Sequence, residues 1–237
     1  MRHEFNAALL AAGLLSANIA QAALSSNGNG LVYDSVQNIT WSSDANLFAS
    51  MYAGDPALVS KIIAAVPTIA NTPNTASPTG IYALSAADFT ASLPGAIDWF
   101  GAQAFVGYLN SSRYLGQNTW SLPAANPVVA SAGQLGSLFT SLGGVVGASI
   151  TTTHNSSYSL FTNVQDSAYW HATEFATGPS LAWGISSFGF QIPYPKAVNF
   201  YTWVMLPGNM VAPVPEPGEW AMMLAGFGLI GVIARRR

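Results

Sequence analysis

The chain has 237 residues, of which 7 % are charged, 50 % are hydrophobic and none is cysteine, and its formal net charge is −3. Without cysteine there is no disulfide, no thiol nucleophile and no thiolate metal site, so the core must be held by burial alone. Between residues 23 and 213 the only bases are Lys61, Arg113 and Lys196. They are too few for a basic patch, which argues against nucleic acid, heparin-like polymers and anionic lipid as partners held by bulk charge.

Taken in order, Met1 to Ala22 carries Arg2 and His3, an apolar stretch from Ala7 to Ala17, and then Ala20-Gln21-Ala22. That is the layout of a signal peptide with an A-x-A site, predicting cleavage by signal peptidase after Ala22. Residues 23–213 are then enough for one domain with a real core. Ser25 to Gly30 reads as a turn. Leu31-Val32-Tyr33 and Ile39-Thr40-Trp41 read as a hairpin about the polar stretch 34–38. Asp44 to Phe48 is a turn or the start of a helix. Ala57 to Val66 has helical apolar spacing, with Asp55 as its cap and Pro56 as its first residue.

Pro67 to Gly80, rich in Pro, Asn and Thr, is expected as a long surface loop within an insertion at about 52–95. Ser85 and Asp88 stand at capping-box spacing and start a short helix ended by Pro94-Gly95. The strongest helix runs from Ile97 to Leu109, with Trp99, Ala102, Val106 and Leu109 on its buried side. Trp120 to Pro123 reads as a brief strand. Leu135, Leu138, Phe139 and Leu142 make a second amphipathic helix, stopped by Gly143-Gly144. Short aromatic segments at 160–162, 168–173, 181–185 and 200–205 read as an antiparallel sheet. Helices in the first half and strands in the last third give an α+β fold.

The end of the chain is of a different kind. Pro213, Pro215 and Pro217 alternate with Val214 and Glu216, and nothing helical runs through them. An uncharged apolar helix is expected over Trp220–Ala234, followed by Arg235, Arg236 and Arg237. Such a helix is about 22 Å long against a hydrocarbon core of about 30 Å, short for a free-standing span. The arginines can snorkel and hold that end in the cytoplasm. Val214-Pro215-Glu216-Pro217, Trp220-Ala221, the Gly-rich Leu224 to Gly231 and the terminal arginines together resemble the PEP-CTERM sorting signal of Gram-negative bacteria. The resemblance implies an exosortase, a membrane cysteine protease, as processing partner. It also implies an inner-membrane intermediate and a final place at the cell surface or in the exopolysaccharide matrix. An ordinary C-terminal anchor is the alternative, and both place residues 23 to about 213 outside the cytoplasm.

A second resemblance covers most of residues 30–208 outside the insertion. Gly30 to Asp34 with Ile39-Thr40-Trp41, Asp44-Ala45-Asn46, the helix around Trp99, Trp120-x-Leu122-Pro123, Tyr169-Trp170 with Thr173-Glu174, Ala182-Trp183 and Tyr201-x-Trp203-Val204 resemble the Lcl C-terminal domain of bacterial surface proteins. The resemblance implies an irregular fold related to C-type lectins and formylglycine-generating enzymes. That family carries arginine where this chain has Ser121 and Leu206. The loss suggests that Asp44 or Glu174 lacks a partner or is exposed, and that Ser121→Arg or Leu206→Arg would raise the melting temperature.

Neither His154 nor His171 belongs to a catalytic constellation, no G-x-S-x-G is present, and the acids have no recognisable metal spacing. A non-enzymatic surface or matrix protein is therefore expected. A lectin-like adhesin that binds polysaccharide is the alternative, with Asn163, Asp166, Glu174 and Asn199 as candidate ligand-binding residues and possible calcium donors. Trp41, Trp99, Trp120, Trp170, Trp183 and Trp203 are expected in the core rather than on a sugar platform.

Overall fold

The hairpin of Leu31-Val32-Tyr33 and Ile39-Thr40-Trp41 lies at the centre of a four-stranded sheet in the computed structural model, which describes residues 23–89 and 94–210. Strand β1 (Leu24–Gly28) pairs with β2 (Leu31–Asp34), β2 with β3 (Ile39–Ser42), and β3 with β9 (Met205–Pro207), all antiparallel. Buried Asp34 builds the β2–β3 turn: Oδ1 accepts from the backbone N–H groups of Val36 and Gln37 at 3.0 and 3.2 Å. A side-chain oxygen thus replaces the backbone partners that a tight turn cannot supply. The expected turn at Ser25–Gly30 is instead mostly strand. Its polar residues have little strand propensity of their own, and β2 supplies the ladder that orders them, with a bulge between Ser26 and Gly28.

Helices α1 (Leu47–Gly54) and α2 (Leu58–Ala65) follow. The N-cap of α2 is Ala57 rather than Asp55, whose carboxylate instead accepts from the Ala57 N–H at 3.1 Å and pairs with Lys61 at 2.6 Å. The expected loop 67–80 is ordered: β4 (Thr68–Ala70) and β5 (Ile81–Ala83) form a hairpin whose tip is tied by its own Asn and Ser side chains. The capping-box start gives a single 3₁₀ turn, Ala86–Phe89, in which Asp88 accepts from the Ser85 N–H at 2.6 Å. Helix α3 (Trp99–Ser111) buries Trp99, Ala102, Phe105, Val106 and Leu109, the side that its periodicity marked. Helix α4 (Gln134–Ser141) ends before Gly143, which adopts φ +78°.

Strands β6 (Ala168–Glu174), β7 (Leu181–Ser186) and β8 (Gln191–Pro195) make a second antiparallel sheet. Pro193 and Pro195 are tolerated because β8 is an edge strand, where a missing N–H donor breaks no central ladder. Three expected strands are not continuous ones. Of residues 160–162, Leu160 closes a 3₁₀ helix (Ser156–Leu160) and Thr162 makes a single bridge to Asp44; Ser121 makes one bridge to Met205, and the 200–205 segment contributes single bridges at Phe200 and Tyr201 before β9 begins. Aromatic content there reflects burial, not ladder pairing.

The fold is mixed α+β, with strands opening the chain as well as closing it. One core cluster surrounds α3 with Leu58, Ile62, Trp120, Trp170 and Leu206; another gathers Trp41, Leu138, Phe161, Tyr169 and Trp203. Five of the six tryptophans expected in the core are buried, and Trp183 is half-buried, edge-on to Phe175. Four of the indole N–H groups donate to backbone carbonyls, Trp99 to His171 at 2.9 Å, Trp120 to Tyr114 at 3.1 Å, Trp170 to Ile97 at 3.0 Å and Trp203 to Ser42 at 3.0 Å, and that of Trp41 points at the Asp34 carboxylate. Burial of so large an apolar surface at no polar cost takes the place of disulfides.

The paired-arginine expectation is overturned. Leu206 is fully buried among apolar side chains, and neither carboxylate lacks a partner. Asp44 accepts from the Ser50 hydroxyl at 2.6 Å and the Asn46 N–H at 2.9 Å, and Glu174 faces Lys196 at 3.3 Å. A leucine in a dry site needs no ion pair.

Candidate functional site

In a chain with so few charges, four of them converge on one side of α3. The tip of the β4–β5 hairpin provides the cover. Asn71 N–H donates to Gly80 O at 2.8 Å, and the Asn74 side chain accepts from the N–H groups of Ala76 and Ser77 at 2.9 and 3.2 Å. Gly80 has φ +77° and a Cβ there would stand 2.9 Å from Asn71 O, so only glycine closes this tip without strain.

The tip is clamped to the body through Glu174 and Lys196. Glu174 accepts from the Thr72 N–H at 3.1 Å, and its carboxylate lies 3.3 Å from the Lys196 ammonium. Lys196 is buried, with Nζ 3.4 Å from Asn71 Oδ1 and 4.5 Å from the centre of the Trp99 ring. Burial holds its pKa below the ordinary lysine value, and the Glu174 carboxylate partly offsets that by stabilising the ammonium. The ring face supplies a further attraction for the charge.

Asp98 is the N-cap of α3 and accepts from the Gly101 N–H at 2.7 Å. Its carboxyl is in hydrogen-bond contact with that of Asp88, which also receives the Tyr82 hydroxyl at 2.7 Å. Burial, with the neighbouring Asp88 charge, raises the Asp98 pKa well above the ordinary carboxylate range. Two buried carboxyls in contact cannot both ionise cheaply, so Asp98 keeps its proton near neutral pH. The Tyr82 hydroxyl is likewise raised, by burial first and then by Asp88. The Tyr82 ring stacks on Phe100 with centroids 3.7 Å apart.

Asn74, Tyr82, Asp98, Phe100, Ser180 and Lys196 line an open cleft of about 300 Å³ beside these groups. The charges of Lys196 and Glu174 cancel, and a proton on Asp98 leaves the cleft with no more than the charge of Asp88. It suits a small ligand that offers hydroxyls to the amide and hydroxyl edges and an apolar face to the Tyr82 ring.

The four residues expected to bind ligand are not drawn together. Asn163, at φ +55°, donates to Asp44 at 3.1 Å and to Ser50 at 3.3 Å, bracing the start of α1. Asp166 accepts the Ser149 and Ser187 hydroxyls at 2.6 and 2.7 Å, which hold its pKa below the usual value. Glu174 is part of the clamp under the cleft. Asn199 is half-buried, and its Oδ1 has no hydrogen-bond partner among the described residues. Among the described residues, no three of His, Cys, Asp or Glu converge where they could hold a metal ion.

The sequence left Tyr82, Asp98 and Lys196 without a site role and read Asp88 only as the acid of a capping box. Asp98 directly before a strong helix is a legible cap, and Lys196 is one of only three bases in residues 23–213. Their convergence has no sequence signal. His154 stacks on Tyr158 at 3.9 Å, while His171 is fully buried with neither ring nitrogen hydrogen-bonded among the described residues. Among the described residues neither ring hydrogen-bonds to a serine hydroxyl.

Ala20, Ala22, Val214, Pro215, Glu216, Pro217, Arg235, Arg236 and Arg237, and the helix expected over 220–234, lie outside the described residues. Among the described residues no helix is long and apolar enough to cross a membrane. Neither curated proteins nor solved structures gave a match to the chain. Family models gave one at the C-terminus, the PEP-CTERM protein-sorting motif, over residues 213–237. The chain therefore carries a PEP-CTERM sorting motif, the mark of an exported Gram-negative protein that passes through a membrane-anchored intermediate and is processed by exosortase.

Proposed function

We propose that the chain is a non-enzymatic surface or exopolysaccharide-matrix protein. In this reading signal peptidase releases it after Ala22, and exosortase then acts near the Pro215-Glu216-Pro217 triplet. The sorting motif over residues 213–237 is the observation that carries the proposal. The touching Asp88 and Asp98 carboxyls speak against one reaction, glycoside hydrolysis, which sets its two carboxyls roughly 5–9.5 Å apart to leave room for sugar and water.

A lectin-like adhesin, on the C-type-lectin-related arrangement that the Lcl resemblance implies, is the second reading. The cleft favours it, since the Tyr82 ring, backed by buried Phe100, stands beside Asn74 and Ser180. Exopolysaccharide binding separates the two. Purified chain is titrated with cell-free exopolysaccharide and with a panel of short glycans, with and without a calcium chelator. A matrix role predicts altered aggregation and film formation on gene deletion without saturable affinity for any single glycan. Saturable binding of one glycan, weakened by Asn74→Ala and Ser180→Ala, makes the adhesin the better account, and the chelator arm decides whether calcium takes part.

A further inference from the structure

We propose that an uncharged apolar face of the domain rests on the lipid bilayer in the membrane-anchored intermediate. The face comprises residues 126–133, residues 144–147 and the β7–β8 turn, and the proposal rests on the anchored stage that the sorting motif implies. Large apolar side chains stand exposed there: Val128 at 89 %, Val146 at 64 % and Phe190 at 52 %, with Val145, Phe188 and Ile192 beside them. They form one surface. Ala130, Val146 and Phe190 line a shared open cleft of about 360 Å³, and Gly147 N–H donates to Phe188 O at 3.0 Å. Scattered apolar residues need no explanation, but a clustered set marks a surface that meets something apolar.

Charge and backbone both suit a lipid surface. Residues 114–165 and 175–195, which supply the whole face, contain no Asp, Glu, Lys or Arg. Asn126 Oδ1 accepts from the N–H groups of Val128 and Val129 at 2.9 and 3.0 Å, and Gly189 N–H is taken by Ser186 O at 2.9 Å. These bonds satisfy part of the backbone at the tips, which lowers the cost of placing them among lipid headgroups.

The tether selects the occupant. The chain leaves the body beside the β2–β3 turn, where Gly208 N–H donates to Asn38 O at 2.9 Å and Met210 N–H to Thr40 Oγ1 at 3.0 Å. One residue from Asn38, the Gln37 amide donates to Gln134 O at 3.1 Å, so the exit adjoins the 126–133 segment. From there residues 211–219 span at most about 30 Å before the apolar run begins at Trp220. A domain of this size is about 40 Å across. A tether this short keeps the exit side of the body within about 30 Å of the bilayer, and the Gln37–Gln134 contact puts the apolar face beside that exit.

The absence of native cysteine makes the test direct. Full-length chains carrying a single Phe190→Cys, Val146→Cys or Lys61→Cys are labelled with an environment-sensitive fluorophore and reconstituted into vesicles containing nitroxide lipids. Flotation first establishes anchoring. The expected result is several-fold stronger quenching at positions 190 and 146 than at 61. It should be the same in phosphatidylcholine alone and with phosphatidylglycerol added, and at position 146 it should be lost on Phe188→Ser/Phe190→Ser while flotation persists. Flotation with equal quenching at all three sites overturns the proposal and leaves the anchored stage standing. An emission shift at 190 that grows with protein density, without nitroxide quenching, assigns the face to a second copy of the chain and also overturns it. Failure to float overturns the anchored stage and the proposal together.

Discussion

His171→Phe should make the domain more resistant to acid. His171 is fully buried on β6, and burial pulls its pKa down from 6.5 to about 4. Between those two values the unfolded chain binds a proton that the folded chain does not. Stability from the neutral ring is therefore fully present above pH 6.5 and is lost as pH falls through 4. A shift of this size amounts to about 3 kcal/mol at full development. Phenylalanine keeps a planar ring and removes two ring nitrogens that have no protein partner among the described residues. It should change stability little at pH 7.5, since an unsatisfied buried polar group is exchanged for an apolar one.

Asp98 works the other way, because its raised pKa stabilises the folded state as pH falls, so the wild-type pH profile alone is ambiguous. The difference between wild type and His171→Phe cancels that contribution. Urea denaturation of both at pH 7.5, 6.0 and 4.5 should show the gap widening in favour of the variant by about 2–3 kcal/mol towards pH 4.5. A gap that stays constant across this range refutes the buried, neutral histidine.

Lys196→Ala leaves the Glu174 carboxylate without its cation and should cost about 2–4 kcal/mol by chemical denaturation. Adding Glu174→Gln should recover part of that loss, and limited proteolysis should show earlier cutting within residues 71–80 in the single variant. Leu206→Arg puts a charge into a fully buried apolar site and should lower the melting temperature steeply, while half-buried Ser121→Arg should shift it little. Asp98→Asn keeps a helix cap but cannot ionise. Burial raises the Asp98 pKa from 3.8 to about 8, so its contribution is present at acid pH and is lost between those values; the variant should therefore decline less than wild type from about pH 4 to 8 in thermal melts.

Helix α3 was legible because Trp99, Ala102, Val106 and Leu109 repeat at helical spacing and the structure buries that face. The β2–β3 hairpin was legible because its strands are β-branched and aromatic around a polar turn. β1 and β8 were not: Ser-Ser-Asn-Gly and Pro193/Pro195 argue against strands locally, and only pairing with β2 and β7 orders them. The β4–β5 hairpin hides behind strands of three residues and a tip held by side-chain amides. The cleft was the least legible feature. Asp88, Asp98, Glu174 and Lys196 are far apart in the chain, and each taken singly looks like a cap or surface charge. The sorting motif, by contrast, is local sequence chemistry, and it was readable from Pro213 to Arg237 without any fold.

Intact mass and cellular location of the mature protein, in a host with exosortase and in one lacking it, test the central claim most directly. The account predicts a product that begins near Ala23, ends near the Pro215-Glu216-Pro217 triplet and lies outside the cell only when exosortase is present. A product that keeps Trp220–Arg237 and stays in the inner membrane in both hosts contradicts it.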